Sequence, residues 1–345
     1  MSDGTKIEWT DATLNVQVGC TKVSPGCANC SALRDARRLS RNPNPKIAAK
    51  YAGTVTEDGR NWTGRVNFSE ETLTQVIRWR EPRRIFVNYT SDIFHKVAPD
   101  ERIDRTFAVM ALAHWHTFQV LTKRAKRAAK YFSDRQARVG AIWGQMGRGY
   151  PHPHPTLFDL VKKSPNHDPY WPWKKGRNGS WSNPPWPLLN VWLGFSAENQ
   201  KEFDARWECF RLIAGQGWTV FVSCEPLLGP VALPADFLAL GGRAQVIAGG
   251  ESGKLARPSH PDWFRSLRDQ CVPAGVAFLF KQHGHWLHQS QEYADGLTWA
   301  ECTRIVTGEG AHVWPDGTRS VYLSKSAAGR ILDGREWSEF PAAAP

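Results

Sequence analysis

Apolar and polar residues follow two registers along this chain. Short runs rich in β-branched and aromatic residues read as strands, and stretches with apolar residues three and four apart read as helices. Strands are expected at residues 15–18, 65–68, 84–90, 117–122, 191–196, 219–223, 245–248 and 276–280. Helices are expected at 32–41, from Ser69 to about Trp79, from Asp100 to about Trp115, at 123–132, at 197–214 and from His260 to about Cys271. Ser69 and Asp100 read as caps, with acids in the first turn. The later strands are continuous apolar runs, as parallel strands buried on both faces are. Eight strands mostly separated by helices argue for an α/β fold, a (β/α)8 TIM-like barrel, with a six-strand partial barrel carrying extra edge strands as the close alternative.

Two segments break the rhythm. Residues 134–188 are rich in Pro, Gly, His and Trp, with eight Lys or Arg against three Asp. They read as a basic aromatic insertion rather than fold elements, since structureless segments this long are functional or disordered. Past residue 285 the pattern changes again. Residues 313–322 (VWPDGTRSVY) read as a hairpin with an Asp-Gly turn, and 326–332 as a short helix. The expected organisation is a barrel over 1–285, interrupted at 134–188, and a C-terminal appendage over 286–345.

Composition narrows the classes of function. The chain has 345 residues, 41% hydrophobic and 22% charged, enough for a large core. A net charge of +11 favours a polyanionic partner, nucleic acid first; a merely soluble basic protein is the plainer reading. Most of the 17 tryptophans and 16 phenylalanines belong in the core, leaving some for stacking on bases. The N-terminal MSDGTKIEWTDATLN has no apolar signal region, and no apolar run approaches the roughly twenty residues of a membrane span. Seven clustered cysteines fit a reducing compartment rather than a disulfide scaffold, so a cytoplasmic location is expected.

Three of those cysteines, Cys20, Cys27 and Cys30, fall in one loop with the spacing C-x6-C-x2-C, kept turning by Gly19, Pro25 and Gly26. Structural zinc takes four ligands, yet the next cysteine is Cys209, the first histidine is His95, and there is no second C-x2-C. Three thiolates without an obvious fourth suit a cubane iron–sulfur cluster with one iron open, since ordinary electron-transfer clusters use four cysteines. An unpaired thiol, or zinc completed by a distant His or Asp, stays open as the plainer alternative.

Active sites of α/β barrels lie at the C-terminal ends of the strands. Those ends carry Asn88, Ser91 and Asp92; Thr122, Lys123 and Arg124; Ser196 and Glu198; Ser223, Cys224 and Glu225; Gly249, Gly250, Glu251 and Ser252; and Lys281 and Gln282. Each alone has a bland reading as a cap or solvated charge; their convergence is the signal. Gly249-Gly250 would let a ligand approach the backbone closely. Cys224 reads either as a radical-quenching thiol or as a small buried residue. No Walker loop, H-E-x-x-H or G-x-S-x-G is present.

A cysteine loop after the first strand of a barrel resembles the radical S-adenosylmethionine (SAM) superfamily, although the usual spacing there is C-x3-C-x2-C. More closely, the chain looks like a phage-associated family of uncharacterised radical-SAM-like proteins. The resemblance is carried by KIEWTDAT at 6–13, GCTKVSPGCANC at 19–30, RIFVNYTSDIFH at 84–95, TFQVLTKR at 117–124 and VWLGFSAENQ at 191–200. It continues through FVSCEPLLGPV at 221–231, GGESG at 249–253, FKQHG at 280–284 and AAGRILDGREW at 327–337. Leu14 and Ser31 stand where Trp and Tyr are common in that family.

The resemblance implies a 4Fe-4S cluster on Cys20, Cys27 and Cys30, with SAM chelating the open iron and cleaved to a 5′-deoxyadenosyl radical by one electron from a flavodoxin or ferredoxin. It places Ser196, Glu198, Gly249, Gly250, Glu251 and Ser252 against SAM, with Asn88, Ser91, Asp92 and Gln282 completing the cofactor-binding set. Lys123, Cys224, Glu225 and Lys281 are then the catalytic candidates. With the basic charge, the expected substrate is a base in DNA, flipped out or single-stranded. The best specific expectation is rearrangement of an amino-acid-decorated thymine in phage DNA, within the host cytoplasm. Two readings compete: repair of a thymine photoproduct with Cys224 as hydrogen donor, and a non-catalytic DNA-binding protein with a structural metal.

Overall fold

A computed structural model describes residues 2–147, 186–291 and 310–342. Its strands are β1 (Ser2–Asp3), β2 (Ala12–Leu14), β3 (Gln17–Val18), β4 (Asn67–Phe68), β5 (Arg84–Val87), β6 (Thr117–Thr122), β7 (Val191–Ser196), β8 (Thr219–Cys224), β9 (Ala244–Gly249) and β10 (Ala277–Gln282). The main sheet has the order β1-β2-β5-β6-β7-β8-β9-β10. β2 to β10 pair in parallel, and β1 adds an antiparallel edge. The two end strands do not pair with each other, so this is a mixed α/β fold with a curled seven-strand parallel half-barrel, compatible with a partial TIM-like barrel rather than a closed eight-strand one.

Two strand expectations change. The segment at 65–68 contributes only β4, which pairs with β3 in a separate two-stranded ribbon. The first parallel strand is β2, upstream of the expected 15–18. Three residues, Ala12, Thr13 and Leu14, are too few to show a period of two.

The helices are α1 (Ser31–Ser40), α2 (Pro45–Tyr51), α3 (Glu70–Thr74), α4 (Asp100–Leu112), α5 (Ala125–Ser133), α6 (Arg135–Gly147), α7 (Gln200–Gly215), α8 (Ala235–Leu238) and α9 (Pro261–Cys271). Ser69 caps α3 as expected, and Asn199 caps α7 by accepting from the Glu202 amide at 3.1 Å. α6 lies inside the stretch expected to lack fold elements. The Trp-rich remainder, 148–185, lies outside the described residues, as does Cys302.

Strand alternation divides the core in two. On β8, Val220, Val222 and Cys224 join the large cluster shared with the helices, among them Phe203, Phe210 and Phe264. Phe221 joins a smaller cluster with Trp9, Phe86, Trp192, Ile247 and Leu279, from the opposite face of the sheet. The chain end closes off this inner face. Residues 337–339 bond along β10, through Phe280 N–H to the Trp337 carbonyl at 3.0 Å and Glu339 N–H to the Phe278 carbonyl at 3.2 Å. Gln245 donates to the Glu339 carbonyl at 2.7 Å, and the Arg84 guanidinium sits 3.9 Å over the Phe340 ring. The open edge of β10 is thereby covered.

In the appendage, β11 (Trp286–His288), β12 (Ala311–Val313) and β13 (Arg319–Tyr322) form an antiparallel sheet in the order β11-β13-β12. The turn between β12 and β13 contains Asp316-Gly317, as the sequence suggests. The short helix α10 (Lys325–Ala328) stops at Gly329, before the expected 332. Among the described residues no helix is long and apolar enough to cross a membrane.

Candidate functional site

The cysteine loop begins where β3 ends. Gly19 takes a left-handed φ of +97°, and a Cβ there would overlap the Arg65 carbonyl oxygen. The Ser91 hydroxyl fastens the Gly19 carbonyl at 2.6 Å. Pro25, Gly26 and Cys27 make one 3-10 turn, and Cys30 stands at the N-cap of α1. All three cysteines line one cavity, together with Ser91, Asp92, Lys123, Arg124, Ser196, Trp62 and Tyr89. The cavity holds about 140 Å³, less than the roughly 300–1,000 Å³ usual for small-molecule sites. The cavity sits at the C-terminal ends of β5, β6 and β7.

Two adjacent cations at the end of β6 serve the loop. Arg124 lies 3.8 Å from Cys20 Sγ, donates to the Thr21 hydroxyl at 2.7 Å, and is held from behind by Asp92 at 2.8 Å. Asp92 also accepts from the Thr122 hydroxyl and the Lys123 amide, so this carboxylate is fully engaged with protein. Lys123 contacts Glu198 Oε1 and reaches Ser24 Oγ at 3.3 Å. Glu198 is fully buried, accepts from Ser24 at 2.7 Å and pairs with Arg206 at 3.1 Å. Gly26 packs so closely on Glu198 that a side chain there would overlap the carboxylate.

These neighbours set the thiols apart. Burial pushes Cys20 up to about 11, against the opposing charge of Arg124. Burial also raises Cys30, opposed by the Leu33 and Ala32 amides at the start of α1. At Cys27 burial acts the same way, but the Lys123 charge and the Val23 and Ser24 amides outweigh it and hold the thiol below its ordinary value. Burial pulls Lys123 down to about 8, against the opposing charges of Cys27 and Cys30. His95, bonded through Nε2 to the Thr21 hydroxyl at 3.1 Å, is drawn down to about 4 by burial and is neutral.

The expected site residues therefore separate into groups. Cys20, Cys27, Cys30, Ser91, Asp92, Lys123 and Ser196 line the cavity, with Glu198 one contact behind. Glu225 and Lys281 form their own pair at 3.0 Å, where the Trp9 indole and Ser223 hydroxyl donate to Glu225 at 3.2 Å each. Glu251 is a brace: it binds Arg257 through both oxygens and accepts from Asn29 at 3.1 Å, while Arg257 also donates to the Pro25 carbonyl. Asn88, at a left-handed φ of +63°, accepts from the Gln17 amide and shapes the chain. Gln282 is buried, and among the described residues its Oε1 has no hydrogen-bond partner. Ser252 lies in the turn after β9.

Two expectations are corrected. A Cβ on Gly250 would overlap the His283 carbonyl oxygen, and one on Gly249 would come within 3.1 Å of Glu225. This glycine pair makes room for neighbouring chain rather than for a ligand. Cys224 is fully buried in the helix-side cluster, with its thiol raised by burial, so it faces away from the cavity. Ser24, Asn29, Trp62, Tyr89, Arg206 and Arg257 were not among the expected residues. Tyr89 had a sequence signal in its place at a strand end, and Ser24 and Asn29 had one inside the cysteine loop.

Three cysteine thiols on one cavity wall are the donor type that iron–sulfur clusters take. Among the described residues no three His, Cys, Asp or Glu side chains converge on one metal position. Thiolates that line a cavity separately can each take a different iron of a cubane.

The chain belongs to the family described as "Protein of unknown function (DUF5131)", whose family model matches residues 4–341. Neither the curated proteins nor the solved structures contain a match.

Proposed function

We propose that this protein is a radical SAM enzyme with a partial TIM-like barrel, acting in the cytoplasm on a base in DNA. The carrying observation is that Cys20, Cys27 and Cys30 line one cavity at the C-terminal end of the parallel sheet, with two buried-carboxylate-anchored cations beside them. The three thiolates would hold a 4Fe-4S cluster, which with SAM at its open iron and an electron from a flavodoxin or ferredoxin supplies a carbon-centred radical. The chain's own part is electrostatic and steric. Arg124 and Lys123 bring positive charge to Cys20 and Cys27, which favours the thiolate forms. Asp92 and Glu198 hold those cations and are spent in doing so. Ser196 offers a hydroxyl group on the cavity wall, whereas the Ser91 hydroxyl is committed to the Gly19 carbonyl and the Gln17 side chain. Glu225 and Lys281, on the inner face with Trp9, are placed for a polar substrate group rather than for the cluster.

For substrate, the net charge of +11 favours nucleic acid, and rearrangement of an amino-acid-decorated thymine is the specific reaction proposed. The test is anaerobic purification with iron and sulfide determination, SAM cleavage, and nucleoside mass spectrometry. The wild-type protein is expected to hold about four irons and to cleave SAM, and Cys27→Ala is expected to lose both. Stoichiometric zinc in place of iron, or unimpaired SAM cleavage by Cys27→Ala, overturns the assignment.

A further inference from the structure

Exposed cations flank the cysteine loop. Lys22, inside the loop, is exposed and reaches the Arg60 carbonyl at 3.2 Å. Arg60 and Arg37 are exposed on the same side, with the Arg37 side chain lying against Gly59. Arg34, one turn before Arg37 on α1, lies against Gly253, and Lys254 follows that glycine, also exposed. Among the described residues none of these five has a carboxylate within ion-pairing distance. Of the acids alongside, Asp58 interacts with the Arg60 and Arg37 charges at longer range than an ion pair. Asp35 accepts from Tyr89 and faces Arg38, and Asp58 accepts from the Arg60 amide and the Thr56 hydroxyl. Glu57 is exposed on the same turn.

Between the cations the rim is apolar. Trp62 is half-buried, lines the cavity, and packs on the Val18, Ala36 and Tyr51 cluster. Val23 and Leu255 are 48% and 77% exposed. Exposed cations near an aromatic ring in the cavity wall make the kind of surface that tracks a nucleic-acid backbone and stacks its bases. A protein partner of opposite charge would explain the cations but not an indole set into the cavity wall.

We propose that this surface binds a single nucleic-acid strand, with Lys22, Arg34, Arg37, Arg60 and Lys254 on its phosphates and Trp62 stacking the base at the cavity mouth. The choice of strand over duplex follows from the stacking ring, which an intact duplex cannot use. The inference rests on the proposed function only for the direction in which the base points; the binding itself needs no cluster.

The test is fluorescence anisotropy of the full-length protein, as purified in air, with a labelled oligo-dT and with the matching duplex over a range of salt. Each phosphate contact to a single strand contributes about 0.7 to the slope of log affinity against log salt. The triple variant Lys22→Ala, Arg37→Ala, Arg60→Ala removes three exposed charges and is expected to lower that slope by about 2. Trp62→Leu keeps the packing on Val18 and Tyr51, and is expected to weaken binding about 5- to 100-fold with the slope unchanged. Circular dichroism melting checks that each variant is folded; should Trp62→Leu fail, Trp62→Phe is expected to retain binding and the triple variant decides. An unchanged slope in the folded triple variant, or duplex binding as tight as strand binding, overturns the proposal. Cys27→Ala separates the two readings, because it is expected to lose iron and keep strand binding.

Discussion

Removing the Glu198 carboxylate gives a sharp test of how the site is built. Its two oxygens serve Ser24, Lys123 and Arg206, and the side chain has no exposed surface. Glu198→Ala leaves two cations in a dry setting with less compensation, although Arg206 keeps Glu202 at 2.6 Å and Lys123 keeps the Ser24 hydroxyl. Breaking a buried pair by deleting one partner costs about 3–5 kcal/mol. At about 2.1 cal/mol/K per residue, unfolding 345 residues carries an entropy of about 0.7 kcal/mol/K, so Tm should fall by about 4–7 °C. Differential scanning calorimetry measures this directly. Glu198→Gln, which keeps the shape and one acceptor, is expected to fall between the wild type and Glu198→Ala. A Tm within about 1 °C of wild type for Glu198→Ala would falsify the view that the carboxylate is the shared counter-charge of Lys123 and Arg206.

Two further outcomes are expected. Asp333 resists the effect of burial because Arg265, Arg268 and Gln291 bond to it, which holds its carboxyl well below the usual range. A depressed folded-state value stabilises the protein above the unfolded-state value near 4 and loses that contribution as pH falls through the folded one. Asp333→Asn, which also tolerates the left-handed φ of +53°, should therefore cost about 1–3 kcal/mol at pH 7 and progressively less in acid; an equal cost in denaturant titrations at pH 7 and in strong acid would refute the ion-pair account. Gly19→Ala forces a Cβ into a left-handed residue and onto the Arg65 carbonyl, and a loss of at least about 1–3 kcal/mol is expected in the same titration. Wild-type stability for Gly19→Ala would mean the loop entry adopts another path.

How much of this was legible in the sequence depended on the range of the interaction. Strands such as β6 and β7 could be read to the residue, because six-residue runs rich in β-branched and aromatic residues admit little else. β2 could not, since its three residues become a strand only through pairing with β5. The helix α6 was hidden by the Gly, Trp and Pro of the segment around it. At the site, the cysteine spacing and the strand-end polar residues were visible as local patterns. What those residues touch was not. Asp92 and Glu198 look alike in sequence to a ligand-binding carboxylate, and only the fold places Arg124, Lys123 and Arg206 against them. Cys224 and Ser223 differ by one position, yet strand alternation sends one thiol into the helix-side core and turns its neighbour to Glu225.

That long-range pairing has a consequence for the loop itself. Residues 19–30 contain two glycines and a proline and would wander if left alone. They are fastened instead by carboxylates that follow three different parallel strands: Asp92 after β5 through Arg124 to Cys20 and Thr21, Glu198 after β7 to Ser24, and Glu251 after β9 to Asn29 and through Arg257 to Pro25. Because each anchor comes from a separate strand, the loop position is set by the curvature of the sheet rather than by the loop's own preferences. The ordering entropy of those residues is met during folding, so a cofactor arriving at the three thiols would not have to supply it. A half-barrel that leaves one side open can still present a fixed set of thiols, provided the strand ends reach across to hold them.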